Sequence, residues 1–262
     1  METAYSFILP AYNESERLTT SLPKVLEYVS QRQLNSEIIV VNDGSKDDTA
    51  DIIRKFAEVH PIVRLLENPG NRGKGYSVRN GMLHARGDVL LFSDTDLSSP
   101  IYEADKLFAA IRDGADVAIG SRWLQRELQT EPQPLVRQVY GRLFNLGLRM
   151  VLGLNIKDTQ CGFKAFTRQA AHIIFSRQHI ERWGFDPEIL FLAKKFKLKT
   201  AEVPVEWAHD HRSKISPIRD GLRMGTEVLQ VRWNDMQRKY EQPSFAVEEL
   251  SVIDSAPARV AP

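Results

Sequence analysis

Short apolar runs that alternate with stretches of helical periodicity fill the first half of this chain, and they leave few folds open to it. Ala4–Leu9, Glu37–Val41, Val63–Glu67, Asp88–Ser93 and Asp116–Ile119 read as strands. Helices are predicted between them, near Leu18–Gln31, Thr49–His60, Gly73–Ala85 and Ile101–Asp113. Short connections in this order build right-handed βαβ units, so the expected class is α/β, a mainly parallel sheet flanked by helices. Ser45 or the Asp47-Asp48 pair is placed to cap the second helix, where a carboxylate also suits the helix dipole.

From Trp123 onward the rhythm changes. Glu131-Pro132-Gln133-Pro134 breaks the pattern, a Leu/Val/Arg-rich helix runs to about Gly153, and a final amphipathic helix is expected from Pro217 to Tyr240. One domain over residues 1–240 is the expectation, with a disordered tail over 241–262. A length of 262 residues with 42% hydrophobic content can bury a sizeable core. Lys and Arg number 35 against 34 Asp and Glu, so nothing global favours nucleic acid as a partner. The single cysteine, Cys161, excludes an intrachain disulfide, fits a reducing compartment and is expected in the core. No signal peptide and no spanning helix are expected, since the longest apolar stretch, Leu143–Leu154, is interrupted by Asn145, Arg149 and two glycines. His84, His172 and His179 read as ordinary helix residues.

The residues that carry chemistry cluster where strands end. Asp94-Thr95-Asp96 closes the run Asp88–Ser93, which reads as a strand buried on both faces. Ligands of open α/β sheets bind at that carboxyl edge, and two aspartates one residue apart offer oxygen ligands to a hard divalent cation bridging to a diphosphate. Taken alone, the pair is also compatible with a polar strand exit and a turn. Pro10-Ala11-Tyr12-Asn13-Glu14 and Asn42-Asp43-Gly44-Ser45 follow the first two strands to the same edge. There a carboxylate can accept from a base N–H and Tyr12 can stack, although Asp43-Gly44 also suits a turn and Asn13-Glu14 a helix start. Asn71-Arg72-Gly73-Lys74-Gly75 adds two cations near a phosphate position, but the chain lacks Gly-x-x-x-x-Gly-Lys-Ser/Thr, which argues against ATP hydrolysis.

Together these motifs resemble the family-2 inverting glycosyltransferases of the GT-A fold, from about Tyr5 to Tyr240. The resemblance implies a nucleotide-sugar-binding half over residues 1–122 and an acceptor-side half over 123–240. It assigns Pro10, Tyr12, Glu14 and Asp43 to the nucleoside, and Asp94, Thr95 and Asp96 to the diphosphate and its Mg²⁺ or Mn²⁺, with Ser98 at the position of a further metal ligand. Gly120-Ser121-Arg122 matches a phosphate-facing motif. In the second half, Asp158-Thr159-Gln160-Cys161-Gly162-Phe163-Lys164, Glu181–Glu188 and Ser213-Lys214 resemble the dolichyl-phosphate glucosyltransferases, which move glucose from UDP-glucose to a polyprenyl phosphate. Ser98 stands where related mannosyltransferases carry glutamine and Gly141 where they carry serine, which disfavours mannose from a guanine nucleotide.

A phosphate monoester acceptor is largely dianionic at neutral pH, its second pKa being near roughly 6, so it needs no strong general base. It needs cations beside an anionic donor. Arg122, Arg137 and Arg142 are the candidates for the acceptor, and Lys214 for the leaving UDP. Asp96, Arg122, Arg137, Asp158 and Lys214 form the expected catalytic set. Asp158 and Asp186 are candidate ligands of sugar hydroxyls, and with Glu188 the candidate bases if the acceptor were a hydroxyl. That same-fold hydroxyl transferase is one alternative, and a non-catalytic nucleotide-sugar-binding module is another. Ile218, Leu222, Leu229, Trp233 and Met236 form one stripe of the last helix, flanked by Arg219, Arg223, Arg232, Arg238 and Lys239. Such a stripe suits either the core or a membrane surface. The implied location is cytoplasmic, with peripheral attachment to the cytoplasmic face of an inner membrane.

Overall fold

A computed structural model describes residues 3–131, 135–208 and 217–245. All five expected strands are present: β1 (Tyr5–Ala11), β2 (Ser36–Asn42), β3 (Val63–Glu67), β4 (Val89–Ser93) and β5 (Val117–Ser121). The helices between them are α1 (Ser15–Gln31), α2 (Thr49–Val59), α3 (Lys74–His84) and α4 (Ala104–Arg112). Then follow β6 (Gln129–Glu131), α5 (Leu135–Leu152), β7 (Phe163–Thr167), α6 (Arg168–Phe175), α7 (Phe185–Lys195), β8 (Thr200–Pro204), β9 (Trp207–Ala208) and α8 (Pro217–Met236).

Seven strands form one sheet in the order β3-β2-β1-β4-β7-β5-β8, and β6 pairs with β9 apart from it. All neighbours in the large sheet are parallel except β7, which runs antiparallel to both β4 and β5. Chain order reverses at β1, with β2 and β3 to one side and β4 to the other. A ligand crevice opens at such a reversal, beyond the carboxyl ends of the strands. Pro10–Glu14 leave β1 at that point and Asp94–Asp96 leave β4.

Strand alternation sends side chains to two cores. Phe7 and Leu9 pack with Leu18, Leu22 and Val25 of α1 and with Leu107 and Phe108 of α4. Ile8 packs on the opposite face with Val78 and Met82 of α3, and with Ile174 of α6. The α1 residues recur at helical spacing, so a single stripe meets the sheet. Each such side chain, fully buried, contributes roughly 1.5–3 kcal/mol.

Three features differ from the sequence expectation. Strands β7 and β8 and helices α6 and α7 were not anticipated; the charge of Lys164 interrupts the apolar run of β7, and β8 is a half-exposed edge strand ending in Pro204. His179 lies in the loop before α7, outside any helix, with its ring against Tyr240 and Phe245. Residues 241–245 of the expected tail pack on the domain, Ser244 and Phe245 donating their backbone N–H groups to the Ser176 carbonyl, and the rest of that stretch lies outside the described residues. The N-cap residue of α2 is Asp48, which makes no side-chain cap bond, while its neighbour Asp47 accepts from the Thr49 amide and also from that of Ser15.

Helices α5 and α8 pack together. Leu143, Leu146 and Met150 of the first and Leu229, Trp233 and Met236 of the second are exposed. The side chains of Ile218 and Leu222 lie outside the described set. Among the described residues, no helix is long and apolar enough to cross a membrane.

Candidate active site

The β4 exit sets the geometry. Asp94 donates its backbone N–H to the Gly162 carbonyl at 3.1 Å, which ties the end of β4 to the start of β7. Its Oδ1 lies 2.6 Å from Lys74 Nζ, at the first residue of α3. The carboxylate is pressed on Gly162 so closely that a Cβ there would sit 2.1 Å from Asp94 Oδ2. Only glycine leaves that space. Asp96 Oδ1 accepts from the Ser98 amide at 2.9 Å, across a turn that holds Leu97 at a φ of +48°. Burial, then the neighbouring Asp94 charge, raise the Asp96 carboxyl above the ordinary range. An incoming cation would relieve that cost.

Three acid–base pairs stand around this exit. Besides Lys74–Asp94, Arg122 grips Asp158 through both Nε (2.7 Å) and Nη2 (2.8 Å), while the Arg122 backbone N–H donates to the same carboxylate. Asp158 is fully buried. Burial alone would raise its carboxyl, but the Arg122 charge and hydrogen bonds outweigh that and hold it below the ordinary range. Lys164, also fully buried, donates to Asp186 at 2.5 Å and to the Cys161 carbonyl. Burial would pull the Lys74 ammonium down, yet Asp94, Asp186 and Asp96 together hold it above its usual value. Cys161 is in the core as expected, its thiol pushed up to about 12, chiefly by burial.

The expected nucleoside residues surround the β1 and β2 exits. Asp43 is buried, and its carboxylate accepts from the Asn68 side chain and from the Arg72 and Gly73 amides at 2.8–2.9 Å. It thereby shapes the loop that delivers Lys74. Gly44 has a φ of +67°, and a Cβ would lie 2.6 Å from the Gly70 backbone, so both the turn and the packing of the neighbouring loop require glycine there. Tyr12 is exposed beside Pro10, and Glu14 pairs with Arg17 through both carboxylate oxygens. Asn13 ties the two exits together, since its amide donates to Ser45 Oγ and its Oδ1 accepts from Lys46.

A loop before α7 closes the other side. The Glu181 carbonyl accepts from the Tyr76 amide, and a Cβ on Gly73 or Gly75 would strike the Glu181 or Ile180 carbonyl at 2.5–2.6 Å. Gly184 donates to Glu227 of α8 at 2.7 Å. Trp183 and Phe185 place their rings 5.6 and 5.7 Å from Lys74 Nζ. Glu188, a sequence candidate for a base, points away from this work: it is fully buried and accepts from the His179 and Ile180 amides and the Tyr240 hydroxyl. It positions the loop.

Asp94 and Asp96 fit a hard divalent cation. Both are oxygen donors at the ligand edge, and the absence of a side chain at Gly162 makes room for the Asp94 carboxylate there. Among the described residues, no group of three His, Cys, Asp or Glu side chains is arranged to hold a metal. Such a cation would take its remaining oxygens from water and a bound diphosphate, as Mg²⁺ commonly does. Ser98 contributes an amide to Asp96. Arg137 belongs to α5 but its side chain is not among those described, and Lys214 lies outside the described residues. Gly162, Lys164, Trp183 and Glu227 have roles that motif reading did not assign. A glycine between Cys161 and Phe163, inside the run that carries the family resemblance, was the available signal.

A profile described as glycosyl transferase family 2 matches residues 6–175. A dolichyl-phosphate beta-glucosyltransferase of Trichomonas vaginalis is 39% identical over 242 residues, covering 88% of this chain and 71% of that protein. The Homo sapiens dolichyl-phosphate beta-glucosyltransferase is 36% identical over 242 residues, covering 87% of this chain and 74% of that protein. Among solved structures, mannosyl-3-phosphoglycerate synthase from Rubrobacter xylanophilus superposes with a TM-score of 0.66 at 18% identity, covering 94% of this chain and 80% of that one. Glucosyl-3-phosphoglycerate synthase from Mycobacterium tuberculosis, solved with Mn²⁺, UDP and glucosyl-3-phosphoglycerate, gives 0.61 at 20% identity, covering 92% and 81%. These neighbours share the GT-A fold.

Proposed function

Since the chain belongs to glycosyl transferase family 2 and is a glycosyltransferase, we propose that it moves glucose from UDP-glucose to a polyprenyl phosphate, with inversion and with a divalent metal. One observation carries the choice of acceptor. Each of the three carboxylates that the sequence offered as a base is already engaged: Asp158 by Arg122, Asp186 by Lys164, Glu188 by three donors in the core. An acceptor that arrives as a phosphate dianion brings its own nucleophile and needs none of them. The similarity to dolichyl-phosphate beta-glucosyltransferases supports the same reading.

In this reading Pro10, Tyr12, Glu14 and Asp43 receive the nucleoside, Tyr12 through its exposed ring and Asp43 by shaping the wall behind it. Asp94 and Asp96 would hold Mg²⁺ or Mn²⁺, which when bound supplies Lewis-acid neutralisation of the diphosphate. Arg122 uses Nε and Nη2 on Asp158, so its remaining N–H groups are those offered to the acceptor phosphate, with Arg137 and Lys214 as further cations. A phosphate oxygen then attacks the anomeric carbon. The bond to UDP breaks and its electron pair leaves with UDP. With Arg122 and Lys164 already bonded to them, Asp158 and Asp186 are placed to accept from sugar hydroxyls rather than to take a proton from the acceptor.

The exposed apolar residues of α5 and α8 lie beside Arg232 and Arg238, which suits a peripheral encounter with an anionic bilayer surface, where the acceptor resides. The deciding assay offers radiolabelled UDP-glucose, UDP-galactose or GDP-mannose with polyprenyl phosphate. Label from UDP-glucose should enter the organic phase, and EDTA or Asp96→Asn should abolish this while the thermal melt is unchanged. Full transfer in chelator, or preferred labelling from GDP-mannose, would overturn the assignment.

A further inference from the structure

Lys74 occupies the position on Asp94 that a metal would use. Its ammonium lies 2.6 Å from Asp94 Oδ1, its side chain is only 15% exposed, and the rings of Trp183 and Phe185 stand 5.6 and 5.7 Å from the charge. The Asp94 carboxylate has little freedom to retreat, because its other oxygen lies against Gly162. The surrounding cluster sets three cations, Lys74, Arg122 and Lys164, against four carboxylates, Asp94, Asp96, Asp158 and Asp186. Two of the carboxylates are fully committed to Arg122 and Lys164. Among the described residues Lys74 is the cation in contact with Asp94, while Arg17 acts on Asp96 from farther off.

We propose that Lys74 is a resident counter-cation that a divalent metal must displace from Asp94, so that metal and nucleotide diphosphate bind as one coupled event. The inference rests on the proposed metal role of Asp94. A divalent ion and an ammonium on one carboxylate repel strongly in a partly buried site. Metal alone therefore binds weakly, since it must expel Lys74 without giving that charge a new partner. A diphosphate supplies the partner: its oxygens complete the metal's coordination and also receive the displaced ammonium. Lys74 is thus a brake on metal without nucleotide and a ligand in its presence. By linkage, nucleotide must tighten metal by the same factor as metal tightens nucleotide.

The test measures Mn²⁺ binding from the free-ion paramagnetic resonance signal, with protein alone and with UDP, and needs no turnover. Asp94→Asn should lose the wild-type Mn²⁺ site. Lys74→Met should bind Mn²⁺ about tenfold more tightly than wild type without nucleotide, the scale of one charge-assisted contact. UDP should improve Mn²⁺ affinity by a smaller factor in the variant than in wild type. Lys74→Arg should behave like wild type. If Lys74→Met does not fold, judged by its melt, Lys74→Gln is read in the same way. Nucleotide-free Mn²⁺ affinity that is unchanged or weaker in the folded variant overturns the inference while leaving the metal reading intact. Wild-type Mn²⁺ binding that is absent even with UDP, or indifferent to Asp94→Asn, overturns both.

Discussion

Replacing Gly162 by alanine tests whether the Asp94 carboxylate is held where the chemistry needs it. The new Cβ would lie 2.1 Å from Asp94 Oδ2 and 2.6 Å from its Cγ. Ordinary contact begins near 3.4 Å, so the carboxylate must withdraw by about 1.3 Å or the β4–β7 junction must open by as much. The Lys74 pair at 2.6 Å and any metal on the same oxygens would shift with it. A displacement of about 1 Å at a catalytic site costs on the order of a hundredfold in rate, or roughly 2.7 kcal/mol of barrier. The backbone itself does not resist, because Gly162 is outside the left-handed region, and alanine there restricts the unfolded chain by roughly 0.4–1 kcal/mol in favour of folding. Gly162→Ala should therefore keep a melting temperature near that of wild type while transfer of labelled glucose falls about a hundredfold. Gly147→Ala is the control, since a Cβ there meets nothing within 4 Å. Transfer by Gly162→Ala at the rate of Gly147→Ala would refute the argument that Asp94 depends on this contact.

Arg122→Ala and Asp158→Ala should each lower stability by about 3–5 kcal/mol, because each strands a buried charge, and the double variant should cost much less than their sum in urea melts. Burial pushes the Glu188 carboxyl up to about 7 from 4.5, so its contribution to stability is full below about 4.5 and is lost as pH rises through about 7. Glu188→Gln should flatten that part of the pH–stability curve, and parallel curves for variant and wild type would refute the assignment. Leu229→Ser with Trp233→Ser should reduce co-sedimentation with anionic vesicles severalfold and leave the melt unchanged, as both side chains are exposed. Equal sedimentation would remove the membrane role of α8.

What could be read from the sequence was local. β1 to β5 announce themselves because each is a short apolar run closed by turn residues, and Asp94 and Asp96 were legible because they end such a run. Asp43 was assigned to the right edge, but its bonds to the Arg72 and Gly73 amides join residues that share no periodicity. Strand β7 was hidden by Lys164, a basic residue in a buried strand that Asp186 and the Cys161 carbonyl make tolerable. Glu188 read as a candidate base for a hydroxyl acceptor because nothing in the sequence reveals that Tyr240 and the His179 and Ile180 amides converge on it. In each case the missing information was a pairing over a distance that neither helical nor strand spacing reports.

The antiparallel insertion of β7 between β4 and β5 also bears on how the chain reaches this shape during synthesis. Domains generally fold as the N-terminal part emerges first. Here the β1–β4 block emerges with one long margin of β4 bare, and β5, made next, cannot close it because the slot belongs to a strand not yet translated. A nascent chain that stops short of Phe163 presents two unpaired margins, a template for pairing with another chain. Fragments ending before that point should aggregate, and those that include β7 and β8 should be the first to stay in solution.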